Sequence, residues 1–309
     1  MIDFGHLPTG KGNLQIFTVP STVTFLQWQT WKKPRGCSMC YMFLMSSGAG
    51  GGSGASGAAN TDRGGGGSGA SGGHISGIFP LFLLPDILYV QVGLGGMGGV
   101  GGTGVSSMVS YVVVYPATTP SQTSNNTLIA SQNTNATGGA AGSGVGGGTA
   151  GVAGSAIVIT ACNFMSLGFW QGFGGQNGLV GGAQTGANGG NITFSTSGQL
   201  TTAGCSGAGA GNTSTSDFAG GAFVTVSNTL LNEIAAKAPA IGTFNGSSAL
   251  PCWKPFFGFG GVGGSSSEAG NGGNGGHGIF GGGGGGGGAG INGGNGGDGG
   301  NGLVIIYAW

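Results

Sequence analysis

From residue 270 to 302 the sequence reads GNGGNGGHGIFGGGGGGGGAGINGGNGGDGGNG, and it then enters the apolar block LVIIYAW. Eight consecutive glycines (281–288) stand between two stretches in which a polar residue recurs at every third position: Asn271, Asn274 and His277 before them, Asn292, Asn295, Asp298 and Asn301 after them. This tract limits what the chain can become. Glycine buries almost no apolar surface and loses the most freedom on folding, at roughly 1–2 kcal/mol of backbone entropy per residue. Either the tract stays loose, or nearly every peptide group in it finds a lateral hydrogen bond. Period three is the period of the polyproline-II helix, which has no internal hydrogen bonds of its own. With glycine on two of its three edges, such a helix can approach its neighbours closely and exchange N–H···O=C bonds with them, while the third edge faces water. Collagen shares the period but places one glycine per triplet with frequent proline, and no proline occurs between 256 and 309. The expectation is that residues 268–302 are ordered, packed as polyglycine-II helices against other tracts, and end in a strand, Leu303–Trp309. The alternative is a set of loose glycine loops.

Other tracts are available to pack against. Glycine supplies 81 of 309 residues, against an ordinary share of about 7%. The tracts at 48–73, 93–104, 138–154, 172–190, 203–211 and 258–302 interrupt one strand candidate after another. Those candidates are NLQIFTV (13–19), TFLQWQTW (24–31), SMCYMFLM (38–45), ILYVQV (87–92), MVSYVVVY (108–115), NTLIAS (126–131), AIVITA (156–161), NITFS (191–195), AFVTVS (222–227) and GLVIIYAW (302–309). They are rich in β-branched and aromatic residues and bounded by Gly, Asn, Ser or Pro. TLLNEIAAKA (229–238) reads as the one helix, stopped by Pro239. The fold class expected is mainly β: a β-sandwich or jelly-roll-like set of strands interleaved with glycine-rich loops and polyglycine-II helices. Residues 1–309 read as one glycine-rich β domain, with the first 12 residues as an attachment arm and 117–255 as an inserted region.

Seven basic and seven acidic residues leave no net charge. A nucleic-acid partner needs a basic footprint, so that class is excluded; ordinary disorder, which pairs low hydrophobicity with high charge, is disfavoured. No basic start followed by an apolar stretch marks the N-terminus as a signal peptide. The most apolar stretch, IFPLFLLPDILYVQV, carries Pro80, Pro85 and Asp86 and is too short to span a bilayer, so no membrane insertion is expected. The odd, scattered set Cys37, Cys40, Cys162, Cys205 and Cys252 reads as reduced thiols of a chain made in a cytoplasm.

With this much glycine, fragments of catalytic motifs arise by chance. GHLPTGKG (5–12) resembles a phosphate loop but has Gly12 where a Ser or Thr should ligand magnesium. Gly93, Gly95 and Gly98 in VGLGGMGG form a dinucleotide fingerprint with no helix to follow. Ser71 in GASGG mimics a nucleophile elbow without its strand-to-helix frame. A single CSMC (Cys37, Cys40) lacks a second pair at zinc-ribbon spacing. No catalytic residue, metal ligand or cofactor is assigned. Two aromatic clusters remain as binding candidates: Phe169, Trp170 and Phe173 in GFWQGFGG, and Trp253, Phe256 and Phe257 in PCWKPFFGFGG. Rigidly held aromatics suit saccharide or protein contacts, because they give large area at low entropic cost; the competing role is to plug the core or a subunit interface.

Four segments in order, FTVPSTVTFLQWQTW, SSGAGGGSGASG, LYVQVGLGGMGG and GGNGGDGGNGLVIIYAW, resemble the glycine-rich domain of bacteriophage tail-fibre and other virion surface proteins. Phe17–Pro20, 48–54, 92–96 and 302–309 occupy the places of that pattern, whereas KKPRGCSMCYMFLM and the segment 117–255 depart from it. The resemblance implies a non-enzymatic protein on the virion surface. Such a fibre, spike or fibre-tip adhesin would contact other virion proteins and a host receptor of saccharide or protein nature, as a homotrimer. A capsid decoration or head-fibre protein without a receptor is the rival. An ice-binding polyglycine-II protein is a more distant one, since no Thr or Ala ladder stands out at fixed spacing.

Overall fold

The computed structural model describes residues 12–20, 27–117, 125–155, 169–184, 186–190, 208–221 and 260–309. The helix expected at 229–238 and the strands at 156–161, 191–195 and 222–227 lie outside these residues. The architecture is mainly β. Among the described residues nine strands form two antiparallel sheets: β1 (Asn13–Phe17), β2 (Trp28–Lys32), β3 (Met39–Met45), β4 (His74–Pro80), β5 (Ile87–Gln91), β6 (Tyr111–Val113), β7 (Thr127–Ala130), β8 (Phe169–Phe173) and β9 (Leu303–Ala308). One sheet has the order β1-β9-β3-β4-β8 and the other β2-β5-β6-β7.

Alternation along the strands builds the sandwich core. Met42 and Leu44 of β3, Ile75 and Phe79 of β4, and Val304 and Ile306 of β9 share one buried cluster with Trp31, Leu88, Val90, Val112 and Ile129 of the second sheet. Strand β9 occupies an inner place, pairing with β1 on one side and β3 on the other, so it is buried along its whole length. Cys40 lies in this core, where burial pushes its thiol up to about 12. Neither Cys37 nor Cys40 forms a disulfide among the described residues.

Beyond the sheets the chain changes its bonding pattern without ceasing to be extended. After Met45, consecutive N–H groups turn to three different neighbours in rotation. Ser46, Ala49, Gly52 and Ala55 donate to carbonyls of 64–73; Ser47, Gly50 and Ser53 donate to 102–108; Gly48, Gly51 and Gly54 donate to 294–300. Three further segments donate back: Gly96 and Gly99 to Gly48 and Gly51, Gly139 and Gly142 to Gly50 and Ser53, and Gly284, Gly287 and Gly290 to Ala49, Gly52 and Ala55. Three acceptors and three donors make six neighbours around one threefold helix. That is a hexagonal polyglycine-II lattice, the arrangement expected from the period-three sequence.

The eight-glycine run sits inside this lattice. Residues 281–290 are all buried. Every carbonyl from 281 to 289 accepts a backbone N–H in strict rotation: 281, 284 and 287 from Gly72, Gly69 and Gly66; 282, 285 and 288 from Gly300, Gly297 and Gly294; 283, 286 and 289 from Gly261, Gly264 and Ser267. A helix with neighbours on all sides leaves room only for small side chains: Ser46, Ser47, Ala49, Ser53 and Ala55 stand among the glycines of 46–55, and the run 281–288 carries none. The flanking Gly-Gly-Asn stretches lie at the boundary and keep one edge free, so Asn271, His277, Asn292, Asp298 and Asn301 are exposed while the intervening glycines are mostly buried. A surrounded segment therefore carries small residues such as Gly, Ala and Ser, and a recurring Asn, Asp or His marks an edge segment.

The polar third edge does more than face water, which extends the expectation from sequence. At the boundary, side-chain atoms stand in for missing backbone acceptors. Asn274 Oδ1 accepts the Asn295 N–H at 2.8 Å, Asn301 Oδ1 accepts the Gly95 N–H at 2.9 Å, and Asn177 Oδ1 accepts the Ala153 N–H at 2.8 Å. Ser68 Oγ and Ser71 Oγ do the same for Leu179 and Gln176. The hydroxyl of Ser71, which resembled a nucleophile in sequence, is thus a lattice acceptor. Likewise Gly93, Gly95 and Gly98 belong to a lattice segment with no helix after it.

The boundary also carries side chains that face solvent. Met97 and Val100 are 66% and 81% exposed, and Val152 is 60% exposed. Thr134, Thr137, Ser143, Thr149 and Ser155 are exposed as well. Where they stand, these outward side chains hinder another chain from joining the lattice, much as charges and bulges protect the edge of a sheet. Of these hydroxyls only Thr134 and Thr137 stand three residues apart, with Ala140, Gly146 and Val152 interrupting the rest. Thr137 Oγ1 is held between the N–H and C=O of Val152, and Thr134 Oγ1 lies beside Ser155 Oγ; they complete the lattice rather than form a free ladder.

Candidate functional site

Strand β8 carries the first aromatic cluster, and it is a strand rather than the rigid loop expected. It pairs along β4, setting Phe169 opposite Ile78, Trp170 opposite Gly77 and Phe173 opposite His74. Alternation then divides the cluster. Trp170 packs against the sandwich core. Phe173 and Phe43 flank the His74 ring, with centroids at 5.0 and 5.7 Å, and burial holds His74 down to about 4, so the imidazole is neutral at physiological pH. Phe169 alone of the three is open, at 87% exposure on an edge strand. Trp253, Phe256 and Phe257 lie outside the described residues.

A second candidate surface was not singled out from sequence. It lies at the lattice end remote from the sheets. From Met45 to Gly57 the chain runs without reversal; at about 3.1 Å per residue this is roughly 35 Å. There the lattice segments turn over. Turn 99–102 and turn 143–146 stand level with Ser53, which donates to Gly102 and accepts from Gly142, and they expose Val100 and Val145 at 81% and 84%. Loop 57–62 contains Asn60 with φ 55, turn 213–216 closes through Thr213 and Ser216, and segment 267–270 follows the buried serines Ser265, Ser266 and Ser267. These connections interrupt the glycine pattern with Ala, Asn, Thr, Asp, Ser and Val. That compositional change was the available signal.

One titratable pair marks the lattice side. In the ladder between 271–279 and 291–302, Asn271 accepts from Asn292 Nδ2 and Asn274 accepts from the Asn295 N–H. At the third rung, His277 Nδ1 accepts the Asp298 N–H at 3.0 Å and lies 3.3 Å from Asp298 Oδ2, while Asp298 Oδ1 accepts the Gly98 N–H at 2.7 Å. The side-chain bond between Nδ1 and the Asp298 carboxylate raises the His277 value above its usual range and lowers Asp298; once protonated, Nδ1 donates to that carboxylate and gives up the Asp298 N–H. A raised His value gives stability that is complete below the unfolded value near pH 6.5 and is lost as pH rises through the folded value. A lowered Asp value gives stability present above the unfolded value and lost as pH falls through the folded one. The pair therefore helps most between about pH 4 and 6.5. Since both side chains are about half exposed, the effect is small. Buried His74 works in the opposite sense, destabilising as pH falls below 6.5. Subtracting a His277→Asn variant isolates the rung: the wild-type melting temperature is expected to gain on the variant as pH drops from 8 to 5.5. A constant difference across that range would show that the rung does not titrate as described.

Among the described residues no group of three His, Cys, Asp or Glu side chains could hold a metal ion, and no helix is long and apolar enough to cross a membrane. No protein-family model matches the chain, and no curated protein matches it either.

Proposed function

We propose that this chain is a non-enzymatic surface protein of a bacteriophage virion: a fibre, spike or fibre-tip adhesin in which the sandwich is the base and the glycine lattice holds the remote connections toward a host receptor. The observation that carries this reading is the lattice itself. Six-neighbour packing makes a rigid post out of almost bare backbone, and its far end is where the sequence departs from glycine to display varied side chains. Rigid mounting lowers the entropic cost of recognition. The ordered sequence resemblance to virion glycine-rich domains supports the same reading, as does the near absence of charge. Exposed Phe169 near the base is suited to a neighbouring subunit, and a homotrimer fits a symmetric appendage. Light scattering at micromolar concentration is expected to give about three times the 29.5 kDa chain mass; a monodisperse monomer would contradict the trimer.

The rival is a capsid decoration or head-fibre protein, for which the lattice is only a durable shell. Purified protein is expected to bind host cells or their envelope fraction, and variants with Val100 and Val145 both changed to Asp should lose that binding while keeping their melting temperature. Attachment to capsids with no binding to any envelope fraction would overturn the adhesin reading.

A further inference from the structure

Arg63 is the one described cation that is fully buried, at 1% exposure, in a protein with very few charges. It stands where the second lattice segment begins, and it reaches three separate connections at once. Its Nε donates to Asn212 Oδ1 at 3.2 Å, its Nη1 to the Gly57 carbonyl at 3.1 Å, and its Nη2 to the carbonyls of Ser267 at 3.1 Å and Glu268 at 2.8 Å. The backbone of Arg63 also pairs with Asn212 in both directions. Burial pushes the guanidinium below its usual value, and nearby Asp217 opposes that shift; arginine keeps its charge throughout. Around this centre the loops are tied to one another: Asn212 Nδ2 donates to the carbonyls of Thr61 and Thr213, the Ser214 N–H donates to Asp62, the Asn60 N–H to the Glu268 carbonyl, and the Glu268 N–H to Asp217.

We propose that Arg63 is the positioning residue of the remote surface: its forked guanidinium locks loop 57–62, turn 212–216 and segment 267–270 into a single preformed surface. The inference rests on the reading of that end as the presented one, but the clasp itself is testable without any receptor. The lattice does not require it, since the interior segments 46–55 and 281–289 close their backbone bonds without Arg63. The requirement is for a planar donor fork that spans several acceptors, which lysine cannot reproduce. The buried guanidinium spends its donors inward, so it does not serve as an anion site.

The test is hydrogen exchange by mass spectrometry on the intact chain, comparing wild type with Arg63→Met, Arg63→Lys and the milder Asn212→Ala. In Arg63→Met, amides 57–62, 212–216 and 267–270 are expected to lose protection together by tenfold or more, while amides 48–54 and 284–288 remain protected. Arg63→Lys should restore little, and Asn212→Ala should loosen the first two loops more than the third. Loss of lattice protection along with the loops in both Arg63→Met and Asn212→Ala would make Arg63 a lattice residue and overturn the proposal. So would loosening of one loop alone, or full rescue by lysine. Host-cell binding measured on the same variants is a separate readout: loops that loosen without any change in binding would count against the adhesin reading and leave the clasp standing.

Discussion

Gly287→Val is expected to lower stability by about 3 kcal/mol or more, at or beyond the upper end of overpacking in a close-packed interior. For a chain of this size that is a fall of roughly 6 °C or more in melting temperature. Gly287 lies in the surrounded segment: its N–H donates to the Gly52 carbonyl, and its own carbonyl accepts from Gly66. A Cβ there would sit 1.9 Å from the Gly294 carbonyl oxygen, so two helices would have to part, and each is held by further neighbours. Gly294→Val should behave alike, since its Cβ would meet the Gly273 carbonyl oxygen at 1.9 Å. The adjacent Asn295→Ser, at the boundary edge, should change the melting temperature by less than about 2 °C, as surface substitutions usually do. Thermal melts of the three variants check the contrast. Equal effects at 294 and 295 would mean that the edges are not distinguished by packing.

The second large effect is expected at the strand that anchors the lattice. Ile306→Asp should abolish the folded state, or leave it only in stabilising solutes. Ile306 is fully buried between the sheets and lies opposite Gln15 of β1 and Met42 of β3. An unpaired carboxylate there costs several kcal/mol, a large part of the 5–15 kcal/mol that holds a domain together. The consequence reaches further than the sandwich. A lateral hydrogen bond contributes about 0.5–1.5 kcal/mol net, no more than the entropy lost per ordered residue. The lattice is therefore near balance by itself and depends on the β3, β4 and β9 ends to hold its segments in register. Circular dichroism and exchange on Ile306→Asp are expected to show both parts lost together; a protected glycine lattice beside an unfolded sandwich would contradict this dependence.

Much of this was legible in the sequence, because polyglycine-II packing leaves a periodic trace. The spacing of Asn292, Asn295, Asp298 and Asn301 marked one free edge, the run 281–288 marked none, and LVIIYA marked the anchoring strand. Boundaries were less legible. The strand expected at 108–115 shortens to Tyr111–Val113, since Met108 already accepts from Ser47 as a lattice residue and Ser110 Oγ accepts the Gly93 N–H. Lattice and strand are both extended, and only the partner decides where one becomes the other. Strand β4, HISGIFP, was not identified, because Ser76 and Gly77 break its apolar pattern and Pro80 closes it. In sequence, strand β8 looks like a loop because its glycines resemble the tracts beside it. The role of Arg63 could not be read from spacing, since its partners come from residues 57, 212, 267 and 268; the visible hint was a lone cation at the head of a glycine tract.

The measurement that bears most directly on the central claim is residue-resolved amide exchange across 281–302 in the unmodified protein. An ordered lattice predicts that amides 284, 285, 287 and 288, each bonded to a neighbouring carbonyl, exchange as slowly as those of β9. The amide of an exposed turn residue such as Val100 should exchange at a rate near that of a free chain. Rapid exchange through the eight-glycine run, with protection confined to Leu303–Ala308, would show that the tract is loose chain and that no lattice exists.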